Sequence, residues 1–258
     1  MTHARFGNKL LDSVPAKTLA LITPFLRRTY LQRGQNLSRP EHRLGHFIFP
    51  VDALLLDWTP SGQSDRVVAL FQSGARGAAG GGAWIEPNAT AFVTVLLPGA
   101  AWILSEHAAD ATKNDAAFWS LTARWLYDRF AVTSRRLVCV AEHNLDRRLA
   151  RMLLWIVDET GREEIGLTHR EISTLTGIRR PSISLTLADF QKRGIVQLRH
   201  GLVQVVDRPG LERQCCSCYF VIRTLVGDPP APHSIGSNEG HGGIRGTVET
   251  SRPQVTPA

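Results

Sequence analysis

The sequence predicts an α+β protein: an N-terminal antiparallel β-roll or jelly-roll, a long dimerisation helix, and a C-terminal winged helix-turn-helix. Three observations carry this reading. Short apolar runs broken by turn residues fill the first part of the chain, and a long amphipathic stretch without Pro or Gly follows. Near the C-terminus a capping box, a glycine turn, a proline-led helix and a hairpin come in that order. The boundaries expected are residues 1–113 for the β-roll, a sensor-like domain, 114–140 for the dimerisation helix, 141–224 for the winged helix-turn-helix and 225–258 for a disordered tail.

The strands come first. Apolar runs at Phe47 to Phe49, Val51 to Trp58, Val67 to Phe71, Ala91 to Leu97 and Ala101 to Leu104 are separated by Pro60-Ser61-Gly62, Ser73-Gly74, Gly80-Gly81-Gly82, Glu86-Pro87-Asn88 and Pro98-Gly99. Strands this short and this closely spaced leave no room for helical crossovers, so the sheets should be antiparallel.

Helices follow. Beyond Asn114, Phe118, Leu121 and Trp125 fall on one stripe and Leu126, Phe130 and Leu137 on an adjoining one. So wide an apolar face suits pairing with the same helix of a second subunit, and these six residues are the candidate dimerisation set; packing on the chain's own sheet is the alternative use. A second helix places Leu145, Leu149, Met152, Leu153, Ile156 and Val157 at intervals of three and four and stops at Gly161. From about Val226 the chain is rich in Pro, Gly, Ser and Thr, too poor in large apolar groups to offset the entropy of ordering.

The functional signal lies between these. Thr168-His169-Arg170-Glu171 is a capping box that starts a helix of about two turns, with Ile172 and Leu175 inward and Gly177 at its end. A second helix opens at Arg179-Arg180-Pro181, where a proline costs nothing because first-turn amides lack intrahelical partners. Ile183, Leu187 and Phe190 form its inner stripe. Gly194 ends it, and Ile195 to Arg199, His200-Gly201 and Leu202 to Val206 form a hairpin. Such a helix fits the major groove of duplex DNA. Arg180 can donate both its guanidinium branches to guanine O6 and N7, a contact that discriminates by roughly 1 to 3 kcal/mol. Arg179, Ser182, Ser184 and Leu185 share its outer faces, while Thr168, His169, Arg170, Arg199 and His200 are placed to meet flanking backbone. A net charge of +7 agrees with a polyanionic partner without proving one.

The segment from about Leu145 to Arg223 resembles the C-terminal domain of Crp/Fnr-type transcription regulators. Leu167-Thr168-His169-Arg170-Glu171-Ile172 is similar to that family's opening helix, Gly177-Ile178-Arg179-Arg180-Pro181-Ser182-Ile183-Ser184 to its turn and recognition helix, and Lys192 to Val196 with Gly201 to Glu212 to its wing and closing element. Cys216-Ser217-Cys218-Tyr219 resembles the Cys-x-Cys-Tyr ending of one branch, which also has a cysteine and a histidine before the second long helix, as Cys139 and His143 stand here. Gly45 to Pro50 is similar to the start of a cyclic-nucleotide-binding-type β-roll. The resemblance implies a homodimer reading a two-fold-related DNA site, with base contacts carried onto Arg180; RNA polymerase is a further partner it admits. Pro181 and Leu185 stand where relatives often have Glu and Arg, which implies a different preferred sequence.

The sensor half departs from the family. Relatives that bind cyclic nucleotides use a Gly-Glu pair and an Arg, whereas Gly77 to Ala89 here offers no such set and Arg76 is misplaced for it; a buried phosphate without a cation is costly, so that binding is expected to be lost. No cysteine precedes Cys139, so the N-terminal iron-sulfur cluster of other relatives is not supported either. No cofactor is expected, and the effector is unknown.

Three of the four cysteines crowd at Cys215, Cys216 and Cys218. They are the thiol candidates for redox or metal sensing, though no second ligand cluster at structural-zinc spacing accompanies them, and no metal is assigned. Cys139 and His143 join them only if the fold brings them close. So few cysteines suit a reducing cytoplasm, and with no signal-peptide pattern and no run of about 18 apolar residues a cytoplasmic protein without a membrane segment is expected. Nucleophile elbow, P-loop, zinc-hydrolase helix and dinucleotide fingerprint are all missing, which argues against an enzyme. A winged helix that binds protein instead of DNA is the remaining alternative.

Overall fold

A computed structural model of the chain describes residues 6–38, 46–60, 67–80 and 92–227. The glycine tract beyond Gly80, the Glu86-Pro87-Asn88 and Pro60-Ser61-Gly62 turns beyond Pro60, and the tail from 228 onward lie outside the described residues.

The β-roll begins earlier than its apolar runs. Two helices, α1 (Lys9–Asp12) and α2 (Ala16–Ile22), precede strand β1 (Leu26–Leu31) and strand β2 (Asn36–Ser38). Asn8 fixes this start: its carbonyl oxygen accepts from Leu11 N, and its amide donates to Pro50 O at 2.7 Å and Gly77 O at 2.8 Å. The first strand escapes an apolar-run search because Leu-Arg-Arg-Thr-Tyr-Leu lies at a sheet edge, with only Leu31 buried. Six strands follow: β3 (Phe47–Pro50), β4 (Leu54–Pro60), β5 (Val67–Ser73), β6 (Ala79–Gly80), β7 (Phe92–Leu97) and β8 (Gly99–Leu104).

These strands form two antiparallel four-stranded sheets, in the orders β1-β8-β3-β6 and β2-β7-β4-β5. Leu31, Ile48 and Ala101 of one sheet meet Leu55, Val93 and Val95 of the other in a shared core. The alternating burial of β7 is what a strand with one face on that core must show.

A short helix α3 (Ala108–Thr112) leads into the long helix α4 (Ala116–Glu142), whose N-cap Asp115 accepts from Phe118 N. The first half of α4 lies on its own β-roll. Phe118 and Trp125 are 4% and 7% exposed, and both rings pack on Phe47 at centroid separations of 6.0 and 6.1 Å. Leu121 is half-buried against the same cluster. Phe118, Leu121 and Trp125, half of the expected dimerisation set, thus pack inside the chain, where β3 presents an aromatic surface that covers them. Leu126, Phe130 and Leu137 stay exposed, at 40%, 69% and 69%.

Helix α5 (Leu145–Thr160) starts at Asn144, whose side chain accepts from Arg147 N, and stops at Gly161 with φ 67°. It is the central element of the C-terminal core. Leu149, Leu153 and Ile156 pack there with Ile172, Ile183, Leu187 and Phe190. Around it stand β9 (Glu164–Ile165), α6 (His169–Thr176), α7 (Arg180–Lys192), β10 (Val196–Arg199), β11 (Leu202–Val205), α8 (Arg208–Gln214) and α9 (Cys218–Leu225). The wing is a three-stranded sheet in the order β10-β11-β9, one strand more than the predicted hairpin.

Three sets of polar contacts hold the two halves together. Arg76 approaches Asp158 and Glu159 of α5 at 3.6 Å each. Arg162 bonds Asp52 and donates to Pro98 O at 3.1 Å, and Arg33, in the β1–β2 turn, bonds Glu171 of α6. Backbone also comes close: a Cβ on Gly74 would lie 2.5 Å from that of Glu159, so only glycine fits there. Among the described residues no helix is long and apolar enough to cross a membrane.

Candidate nucleic-acid interface

The helix-turn-helix is built as its residues dictate. The Thr168 hydroxyl accepts from Glu171 N while the Glu171 carboxylate accepts from Thr168 N at 2.8 Å, so the capping box at the start of α6 is complete. Gly177 takes φ 68°, a left-handed conformation that β-carbons resist, and Ser173 Oγ donates to Ile178 O to lock the turn that follows. Arg179 is the N-cap of α7 and Pro181 stands in its first turn, and no side chain caps those amides.

That leaves the start of α7 polar and open. Arg179, Arg180 and Pro181 are exposed, while Ile183, Leu187 and Phe190 on the opposite face are fully buried. Ser182 and Ser184 are half-buried beside the arginines, and Leu185 is 74% exposed. His169 Nδ1 lies 2.9 Å from Ser184 Oγ, which ties the start of α6 to the outer face of α7. Burial, then the charge of Arg180, holds the His169 pKa below its ordinary 6.5, so the ring is neutral at pH 7. Thr168, Arg170, Arg199 and His200 are exposed, the last two at the wing tip. All ten sequence-derived candidates therefore have some access to solvent, with His169, Ser182 and Ser184 the least.

The side chains that lock this domain together were not legible in the sequence. Tyr219 is fully buried; its hydroxyl donates to Asp158 at 2.7 Å and accepts from Arg208 at 2.7 Å, while Arg208 also bonds Asp158 at 2.6 Å. Nothing in the spacing of three residues from α5, α8 and α9 announces that they meet.

The cysteines are arranged differently from the expectation. Cys139 and His143, from the end of α4, meet Cys216 and Cys218, and one ligand atom from each lies within 4.8 Å of all the others. Cys215 stands apart, its thiol donating to Glu212 O at 3.2 Å. The cluster at metal-ligand spacing that the sequence lacked is thus assembled by tertiary structure, without Cys215.

A cavity of about 350 Å³ lies between the β-roll, α4, α5 and α9, lined among others by Arg76, Trp125, Arg129, Val132, Trp155 and Glu159. Burial, offset by Arg76, pushes the Glu159 carboxyl up to about 7. Arg76 is engaged with Asp158 and Glu159 here. The glycine-rich stretch compared with a nucleotide-binding motif lies largely outside the described residues.

A β-roll joined by one long helix to an open-faced winged helix defines a class of architecture, that of two-domain winged-helix proteins. Residues 147–214 match the Crp-like helix-turn-helix domain family. No curated protein matches the chain in sequence. Among solved structures, a proposed transcriptional regulator of the Crp/Fnr family from Eubacterium rectale is 19% identical with a TM-score of 0.62, covering 80% of this chain and 96% of that one. A CRP-family transcriptional regulator from Thermus thermophilus is 20% identical with a TM-score of 0.59, covering 72% and 95%. The c-di-GMP-responsive global regulator CLP of Xanthomonas campestris is 16% identical, also at 0.59, covering 74% and 99%. At such identities the likeness is one of fold. Residues 147–214 thus belong with the Crp-like helix-turn-helix domains, and the fold of the chain is similar to that of solved Crp/Fnr-family structures.

Proposed function

We propose that this chain regulates transcription as a homodimer, each subunit placing α7 in the major groove of one half of a two-fold-symmetric DNA site. The observation that carries the reading is the start of α7. Two adjacent arginines stand exposed on first-turn backbone that no side chain caps, and the opposite face of the helix is sealed into the core. Open amides and fixed positive charge at one point are what phosphate and guanine edges require. Arg180 reads a base, Arg179 and Ser182 hold backbone, and Leu185 offers an apolar contact for a thymine methyl. Thr168, Arg170, Arg199 and His200 add flanking, sequence-blind attraction.

Pairing is supported by α4. Leu126, Phe130, Leu137 and Val140 are exposed, and with Thr133 they recur at intervals of four, three, four and three. That is the 3.5-residue period of a left-handed coiled-coil seam, and an isolated helix has no use for it. In such a dimer Pro181 and Leu185 shift the preferred sequence away from that of relatives, and classical cyclic-nucleotide binding is lost, Arg76 being held by α5 carboxylates.

A gel shift with genomic fragments tests the reading. Wild-type protein should retain a subset of fragments selectively, and Arg180→Ala should lose that selectivity. Retention of no fragment by either protein would favour a winged helix that binds protein instead, and equal retention of all fragments by both would contradict sequence-specific reading by Arg180.

A further inference from the structure

We propose that Cys139, His143, Cys216 and Cys218 bind one Zn²⁺ ion, and that this ion fastens the long helix α4 to the C-terminal helix α9 at the junction of the two domains. The four side chains come from two places far apart in sequence. Cys139 lies in the last turn of α4 and His143 is its C-cap; Cys216 and Cys218 flank the start of α9. The three cysteines are 0% to 1% exposed and pack on one another, while His143 closes the group from the half-buried side.

The spacing fits one ion. Zinc bonds thiolate sulfur at about 2.3 Å and imidazole nitrogen at about 2.0 Å in a tetrahedron, so ligating sulfurs should stand roughly 3.8 Å apart and sulfur and nitrogen roughly 3.6 Å. Here Cys139 Sγ and Cys216 Sγ are 3.5 Å apart, Cys218 Sγ and His143 Nδ1 are 3.7 Å apart, and every pair lies within 4.8 Å. A polynuclear iron-sulfur cluster, whose ligands sit on different irons, needs them further apart. Soft thiolates with one imidazole, closed on four sides, make a structural zinc site; a catalytic one keeps a position open.

Charge agrees as well. Loading Zn²⁺ onto three thiols and a neutral imidazole releases three protons and leaves a centre of net charge −1. Arg151 faces Cys139 and Arg135 faces Cys218, and the Nε atoms of both arginines are buried with no hydrogen-bond partner among the described residues. An anionic centre gives these cations their counter-charge.

The position gives the ion a role that rests on the DNA-binding reading. His143 ends α4 and Asn144 caps α5, so the chain turns between the helix that pairs subunits and the domain that meets DNA at this very place. A metal bridging α4 to α9 fixes the angle of that turn.

The test is elemental analysis of the full chain, purified anaerobically without added metal, with DNA retention measured separately. About one zinc per chain is expected, retained in Cys215→Ser and lost at least tenfold in Cys216→Ser and Cys218→Ser. Because a serine variant can misfold, the wild-type chain is also stripped by a thiol reagent and chelator and refilled with Co²⁺. The intense visible bands of tetrahedral cobalt-thiolate are expected at one equivalent. Absence of zinc with no such bands, equal loss in Cys215→Ser, or a Cys139–Cys216 disulfide in the freshly purified protein would overturn the proposal. Zinc content does not depend on DNA, so a chain that holds zinc and ignores DNA defeats the DNA-binding reading alone.

Discussion

His169 Nδ1 and Ser184 Oγ lie 2.9 Å apart, a single contact that joins the first turn of one helix to the outer face of the next. Because burial keeps the His169 pKa below 6.5, the folded protein holds this ring neutral while the unfolded chain takes up a proton. The unfolded state then binds more protons below that pH, so the stability from this group is fully present above about 6.5 and is lost as pH falls through the lower folded value. Denaturant melts of wild type and His169→Gln at several pH values check this. The wild type should lose more stability than the variant on acidification, and parallel curves would contradict it.

Tyr219 predicts an effect that is read without changing the pH. Tyr219→Phe removes one hydroxyl from a buried network that also contains Asp158 and Arg208, leaving Asp158 one donor short. A cost of about 1 to 3 kcal/mol is expected, seen as a lower denaturation midpoint at unchanged slope. A midpoint equal to wild type would show the hydroxyl to be idle.

The two stripes of α4 should separate by assay. Phe130→Glu or Leu137→Lys changes an exposed side chain of the proposed seam, and is expected to convert a sedimenting dimer to monomer with little loss of fold. Phe118→Ala empties a buried site packed on Phe47 and should cost about 3 to 5 kcal/mol by unfolding. If Phe118→Ala alone broke the dimer, the seam would be misassigned.

The contact between halves predicts a contrast in size. Arg33 and Glu171 are 43% and 36% exposed in their side chains, so Arg33→Ala should change stability by no more than about 1 kcal/mol. Leu153→Ala, at 0% exposure in the helix that core residues surround, should cost about 2 to 5 kcal/mol. Thermal melts of both variants measure the difference.

What the sequence revealed follows from how far each signal reaches. The capping box at Thr168, the left-handed Gly177 and Gly161, and the proline in the first turn of α7 are local, and each appears where its residues demand. The wide apolar face of α4 was visible, yet its division was not: only the packing of Phe47 on Phe118 and Trp125 shows which stripe the chain itself covers. Strand β1 hid behind its arginines, since an edge strand needs few apolar residues. The meeting of Cys139 and His143 with Cys216 and Cys218 bridges a separation of 77 residues between Cys139 and Cys216, which no spacing rule spans. The Tyr219, Asp158 and Arg208 network is hidden for the same reason.

Selection of random duplex DNA by the full chain tests the central claim most directly. The account predicts a two-fold-symmetric motif with half-site centres about one helical turn, roughly 34 Å, apart, and Arg180→Ala should erase the preference at one guanine in each half. Binding of the selected site should also weaken steeply with salt, the slope falling by about 1 when Arg199→Ala removes one phosphate contact. No enriched motif, or an identical motif from Arg180→Ala, would contradict it.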